Sequence, residues 1–314
     1  MIRTLGIGDN VCDKYLHEAK IYPGGNALNV ALFSSMIGAK SAYLGTFGDD
    51  SIGKHVYETA LGLGLDLSHS RFERGENGFA RVLLIKGDRK FLKGNSGGIS
   101  REKPPHLTNL DMDYISGFDL VHTSIYSALE DQLCKIKEHA AFLSMDFSDC
   151  KSEDYLKMCC PYIDCAEISC GDMGLEDIKE FMLKIKEMGC RKMVMATRGD
   201  KGAVLLVNKK FYEQSPNFIE AQDTMGAGDS FIACFLTNYI DGMKDCIDFN
   251  KNCYEAGITT AKEYEDLLIR NCLYRAAVFS AKQCQREGSF GYGKEFILSE
   301  EDKKLMKKSE GGSV

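Results

Sequence analysis

An α/β fold, with a mainly parallel sheet covered by helices on both faces, is what this sequence predicts, and three observations predict it. Short apolar runs alternate with helix-periodic segments over most of the 314 residues, the pattern of strands joined by crossover helices. One β-rich interval, 79–92, breaks that rhythm with no helix inside it. A glycine-rich turn at 226–228 runs straight into a helical pattern, an arrangement that suits anion binding.

In chain order, residues 4–7 form a short apolar strand closed by Gly8 and Asp9. Residues 27–37 carry a helical stripe of Leu28, Ala31, Leu32 and Ser35, stopped by Gly38; a strand follows at 41–44 and a helix at 48–62. The runs 79–85 and 89–92, joined by Lys86-Gly87-Asp88, read as a hairpin. They predict a small antiparallel flap over the main sheet, serving as a lid, a surface for a homodimer or a plain edge hairpin. Strands at 119–123, 142–146 and 192–197 and helices at 176–188 and 230–240 continue the alternation. Residues 311–314, Gly-Gly-Ser-Val, are expected to be disordered.

Composition removes several function classes. Lys plus Arg number 39 against 46 Asp plus Glu, a net charge of −7, which opposes nucleic acid as a partner because phosphate binding needs clustered positive charge. Lys303, Lys304, Lys307 and Lys308 lie among Glu300, Glu301 and Asp302 and read as a solvated helix end. No stretch approaches the ~20 apolar residues that span a bilayer, so no membrane partner is expected. Thirteen cysteines without a C-x-x-C pair read as reduced thiols, which places the chain in the cytoplasm.

The stretch Asp223-Thr224-Met225-Gly226-Ala227-Gly228-Asp229-Ser230-Phe231 carries the chemistry. Phe231, Ile232, Phe235, Leu236, Tyr239 and Ile240 recur at helical spacing after it, so Gly226, Ala227 and Gly228 lie at a helix N-terminus. Unpaired amides there attract a phosphate, and glycine lets the backbone approach it. Asp229 beside that phosphate could take the proton of an attacking hydroxyl. Read on spacing alone, an aspartate capping a helix after a glycine turn explains the same residues equally well.

The full string resembles the D-T-x-G-A-G-D signature of the PfkB, or ribokinase-like, carbohydrate kinases. That resemblance implies Asp229 as catalytic base and the Gly226–Gly228 amides as anion hole. A second match is Gly24-Gly25-Asn26-Ala27-Leu28-Asn29, similar to the family's N-terminal Gly-Gly signature, in which Gly25 and Asn29 would hold sugar hydroxyls. By itself it reads as a capping turn. Asp13 matches the family's sugar-binding aspartate. Asp9 and Asn10 are further polar groups at the end of the first strand, with Asx-turn chemistry as the plain alternative. A third match, Thr197-Arg198-Gly199-Asp200-Lys201-Gly202, resembles the nucleotide loop, with Thr197, Gly199 and Gly202 near the ATP phosphates; alone it is an ordinary hairpin turn.

The resemblance implies a three-layer α/β/α domain over 1–314, with a small β-lid formed by about 10–24 and 72–97. It also implies ATP as co-substrate, Mg²⁺ as cofactor, and a monovalent cation such as K⁺ at Asp223 and the late turn 288–291. The helix around Arg275-Ala276-Ala277 and that late turn would wall the adenine. Two departures stand out. The family's N-x-x-E motif is replaced by Ser169-Cys170-Gly171-Asp172, which leaves Asp172 as an indirect magnesium residue. The segment 241–276 is longer than the family's and contains an acidic helical stretch at 263–269.

Within the family the sequence is most similar to the fructoselysine kinase subgroup. The opening G-D-N-x-x-D, the short gap from Asp13 to Gly24, the strand-end Asp146-Phe147-Ser148-Asp149 and D-T-M-G-A-G-D-S-F-I-A carry this similarity. It implies phosphorylation of the 6-hydroxyl of fructoselysine, whose secondary amine is cationic, and Asp9 is the candidate partner of that cation. Another sugar or a nucleoside as acceptor, and a sensing protein that binds without turnover, are the competing readings. A dinucleotide-binding dehydrogenase is disfavoured, since the first strand lacks G-x-G-x-x-G.

Overall fold

The computed structural model describes residues 1–85, 88–256 and 261–310. The chain opens with β1 (Arg3–Gly8), the hairpin β2 (Val11–Tyr15) and β3 (Lys20–Gly24), α1 (Asn26–Met36), β4 (Lys40–Gly48), α2 (Ser51–Gly62) and β5 (Arg71–Glu73). There follow β6 (Gly78–Ile85), β7 (Asp88–Leu92), α3 (Gly98–Glu102), α4 (Asn109–Ile115), β8 (Leu120–Ser124), α5 (Leu133–His139) and β9 (Leu143–Asp146). Next come α6 (Glu153–Cys159), β10 (Cys165–Ser169), α7 (Leu175–Glu187), β11 (Met193–Thr197), β12 (Ala203–Val207) and β13 (Lys210–Gln214). The chain closes with α8 (Ala227–Ala256), α9 (Ala261–Gln283), β14 (Lys294–Glu295) and α10 (Glu300–Glu310).

Nine strands build the main sheet, ordered β13-β12-β11-β10-β9-β8-β1-β4-β5. It is parallel except for β12, which runs against both its neighbours. Alternate residues of its strands face two separate cores, as the pleat requires. Met193 and Met195 pack with α1, α8 and α9, whereas Val194 and Ala196 pack with α5, α6 and α7. This is the expected three-layer α/β/α architecture, and among the described residues no helix is long and apolar enough to cross a membrane.

Five strands form the smaller sheet, ordered β14-β3-β2-β6-β7. It differs from the expected antiparallel flap in three ways. The β2 and β6 strands pair in parallel, β14 joins from the far end of the chain, and β5 belongs to the main sheet through β4. The expected turn residues Lys86 and Gly87, and the tail 311–314, lie outside the described residues.

Two helices also depart from their sequence boundaries. The helix expected at 48–62 starts at Ser51, because the Asp50 carboxylate accepts from the Gly53 amide (2.8 Å) and caps it there. The helix expected to end at residue 240 runs on to Ala256, since α9 packs along it. The acidic stretch 263–269 does part of that work. Glu265 accepts from the Tyr239 hydroxyl (2.8 Å), while Asp266 accepts from Tyr212 (2.8 Å) and pairs with Lys210 and Arg270, which ties α9 to β13.

Candidate active site

The site lies beyond the carboxyl ends of the parallel strands, where open α/β sheets place their ligands. Beside β1, whose neighbours are β8 and β4, the chain leaves the main sheet to build β2 and β3 and returns through Gly25. That residue has φ 113°, and a side chain there would come within 2.7 Å of the Asn10 Cα. Only glycine suits a left-handed turn pressed so closely on backbone. The turn aims the start of α1 at the cleft.

At the other wall Gly226 has φ 70°, and a Cβ there would meet the Ser289 Cβ at 3.0 Å. The chain then enters α8, with Asp229 in its first turn. The Ala227 amide donates to the Thr224 carbonyl (3.2 Å), so that member of the expected anion hole is partly spent on closing the turn. Asn29 of α1 reaches across and donates from Nδ2 to Asp229 Oδ2 (2.6 Å) and to Ser289 Oγ (3.2 Å). This fixes the amide orientation and leaves Asn29 Oδ1 buried without a hydrogen-bond partner, an acceptor ready for a substrate hydroxyl. Asp13 belongs to the same group: a Cβ on Gly24 would fall 3.1 Å from Asp13 Oδ2 and 3.8 Å from Asn29 Oδ1. Thus Asp13, Gly25, Asn29 and Asp229 are brought together from β2, the β3–α1 turn, α1 and α8.

Asp9 takes a different place. Its carboxylate, 3% exposed, accepts from the Asn26 and Ala27 amides (2.7 and 3.3 Å) and from the Ser124 and Ser127 hydroxyls (2.6 and 3.0 Å). Both oxygens are engaged, so Asp9 holds the start of α1 onto the loop after β8 and is not the free partner expected for a substrate cation. Asn10 is likewise tied by its Nδ2 to the Tyr43 hydroxyl and the Thr46 carbonyl, with its Oδ1 buried and unpartnered.

A carboxylate that sequence reasoning did not assign to the site, Asp146 at the end of β9, lines the cleft with Asn26, Ser148 and Asp229. It accepts from Asn26 Nδ2 and from the Ser148 amide, both at 2.6 Å. The signal was its position at the carboxyl end of a parallel strand. Burial pushes its pKa up to about 6, with Asp9 and Asp149 adding to the shift. The Asp229 carboxyl is pushed up to about 8, first by desolvation and then by the neighbouring charges of Asp146, Asp9 and Asp13.

Two connected clefts meet at this point. The first, about 270 Å³, is lined by Asp146, Asp229, Gly226, Ala227 and Gly228, with Phe91 of β7 at its mouth. The second, about 550 Å³, is lined by Thr197, Gly199 and Gly202, by the segment 215–221, and by Ala277, Ser280 and Ala281 of α9. Thr197, Thr224, Ala227 and Gly228 line both. A compact polar chamber therefore opens into a larger, largely apolar one, with a helix N-terminus between them. That suits a transferable phosphate at the junction and a purine in the larger space.

Other expected residues fall outside this arrangement. The late turn does not wall the larger cleft: the Gly288 amide donates to Asp223 (2.8 Å), Ser289 meets Asn29, and Phe290 is buried against Phe33. Arg275 donates to Asn238 on the outer side of the helix pair. Asp172 is exposed and lines neither cleft, whereas Ser169 lines both. Among the described residues no three His, Cys, Asp or Glu side chains gather as a metal cage. That donor set fits a Mg²⁺ held mainly by nucleotide phosphates with Asp146 or Asp229 nearby. It does not fit an ion held by protein alone.

Known proteins resemble this chain both in sequence and in fold. Residues 3–258 match the profile of the pfkB family carbohydrate kinases. Fructosamine kinase FrlD of Bacillus subtilis is 36% identical over 303 residues, covering 95% of this chain and 96% of its own. Fructoselysine 6-kinase of Escherichia coli is 30% identical over 245 residues, 77% of this chain and 91% of its own. Among solved structures, Arabidopsis thaliana ribokinase complexed with ribose and ATP superposes with a TM-score of 0.71 at 19% identity, over 92% of this chain and 94% of its own. Giardia lamblia ribokinase does so with a TM-score of 0.74 at 16% identity, over 92% and 96%.

Proposed function

This chain belongs to the pfkB family of carbohydrate kinases, enzymes that transfer a phosphoryl group to a hydroxyl, and we propose that its acceptor is the 6-hydroxyl of a fructosamine such as fructoselysine. The acceptor sits against Asp13, Gly25 and Asn29, with its reacting hydroxyl at Asp229. As the hydroxyl oxygen bonds to the γ-phosphorus of ATP, its proton passes to the Asp229 carboxylate and the bond to the β-phosphate oxygen breaks, releasing ADP. Amides at the start of α8 stabilise charge on the transferring group. A Mg²⁺ bound with the nucleotide would screen the phosphates, and Asp146, which lines the same cleft, is a carboxylate that could help to hold it.

The observation that carries the choice of acceptor is the crowding of carboxylates. Burial raises the pKa of the base first, and the charges of Asp146, Asp9 and Asp13 raise it further. A pocket of that sign favours an acceptor bearing a cationic amine over a neutral sugar. Similarity to fructosamine and fructoselysine kinases over most of the chain supports the same reading. The test is ADP release with MgATP against fructoselysine, fructose, ribose and adenosine, with Asp229→Ala as control. Fructoselysine is expected to give by far the highest kcat/KM. Equal turnover of fructose would remove the amine argument and leave the kinase.

A further inference from the structure

Asp223 begins the catalytic signature but takes no part in the proton transfer, and its surroundings do not fit the monovalent cation expected beside it. Its carboxylate is 5% exposed. Oδ2 accepts from the Tyr15 hydroxyl at 2.5 Å and from the Gly288 amide at 2.8 Å, while Oδ1 accepts from the Met225 amide at 2.9 Å. A carboxylate offers about four lone-pair positions, and these donors take at least three of them. The two donors on Oδ2 turn the positive ends of an O–H and an N–H toward the place a cation would occupy, which repels it.

These contacts join three parts of the chain. Tyr15 comes from β2 of the smaller sheet, where its ring packs edge-on against Tyr22 at 4.9 Å, and Met225 packs onto the same pair. Gly288 belongs to the late turn, whose next residue, Ser289, abuts Gly226. Asp223 is thus the knot between the smaller sheet, the anion-binding turn and the late turn.

We propose that Tyr15 does at this carboxylate what a monovalent cation would otherwise do: its hydroxyl donates to Asp223 and locks the turn that presents the α8 amides, so that turnover needs no potassium. Tyr15 is a positioning residue, acting on the transferring phosphate through Asp223 and the turn. The inference rests on membership of the kinase family and holds for whichever sugar is the acceptor.

The experiment compares kcat and KM in KCl, NaCl and tetramethylammonium chloride at constant ionic strength, for the wild type and Tyr15→Phe. Wild-type kcat is expected to agree across the three salts within about twofold. Tyr15→Phe, which frees one lone pair of a buried carboxylate, should lose ~10-fold or more in kcat without potassium, the loss expected of one charge-assisted hydrogen bond. KM for the sugar should move much less, and KCl should restore part of the loss. Wild-type activation by potassium of more than about fivefold would overturn the proposal, as would a Tyr15→Phe enzyme with unchanged kcat in tetramethylammonium. A second readout is independent of turnover. The wild-type melting temperature should be the same in KCl and tetramethylammonium chloride, because an ion that bound only the native state would raise it.

Discussion

Replacing Asp146 by Asn should move the pH dependence of the kinase without the replaced residue touching the transferred proton. The base must be ionised to accept that proton, and burial with neighbouring charge raises the Asp229 pKa from 3.8 to about 8. With such a value only ~10% of the unliganded enzyme is competent at pH 7, and kcat/KM should climb up to about pH 8. Asp146, with a pKa of about 6, is ~90% ionised at pH 7, so its charge is present throughout the climb. At an effective dielectric of ~20, a unit charge lining the same cleft contributes on the order of 1–2 kcal/mol, about one pKa unit. Asp146→Asn should therefore carry the limb to about pH 7 and raise the pH 7 to pH 9 ratio of kcat/KM by about fivefold. The assay is initial-rate ADP release from pH 5 to 9.5, with sugar and nucleotide both well below KM, and only the profile's shape is compared. A wild-type limb at pH 4–5 would refute the raised pKa. A limb at pH 8 that Asp146→Asn leaves in place would refute the coupling.

Two further outcomes follow from the same geometry. Asp229→Asn should lower kcat by ~10²–10⁴-fold while both substrates still bind in calorimetry. Because its folded pKa lies above its ordinary value, wild-type Asp229 costs stability as pH rises from about 4 to 8. The Asn variant should therefore be more stable at pH 8, by on the order of 2 kcal/mol in denaturant unfolding once water in the cleft is allowed for, with the gap closing toward pH 4. Gly226→Ala forces a left-handed residue against Ser289 and should cost ~1–3 kcal/mol in thermal unfolding, with a fall in kcat as the turn shifts; an unchanged melting temperature would show that the turn is not strained by a side chain.

The parts of this molecule legible in the sequence are those in which one local pattern carries the information. Strand–helix alternation fixed the main sheet because crossover helices must cover a parallel sheet. The Asp223–Asp229 string predicted a helix start with a carboxylate beside it, and the structure places Asp229 there. What could not be read depends on residues far apart in the chain. Asp9 looked like a free acid at a strand end, yet Ser124 and Ser127, more than a hundred positions away, occupy it. Tyr15 and Gly288 meet at Asp223 only because β2 leaves the main sheet. The β14 strand, two residues long, carries no periodic signal of its own. Asp146 stood in a strand-end stretch that the resemblance singled out, but nothing in that stretch by itself gave it a role beside Asp229.

The crowding of acids at this site is itself an argument about why the fold is arranged so. Beside Asp146, as its register partner on β10, lies Glu167, 1% exposed, its pKa raised well above the usual carboxylate range by burial, then by Asp146 and Asp229. His122 faces it at 3.6 Å, and burial pushes the imidazole down to about 3, so this histidine brings no positive charge to the carboxyls. Such a cluster lowers native stability at neutral pH, since each ionised member raises the cost of ionising the next. Hydrogen bonds from Asn26, Asn29 and the Ser148 amide relieve Asp229 and Asp146 only in part. Positive charge brought into the cleft would relieve them further, and magnesium with the nucleotide and a cationic acceptor would both deliver it. Binding and ionisation of the base are then linked: whichever ligand brings the charge also lowers the Asp229 pKa, and the base becomes competent when the cleft is filled.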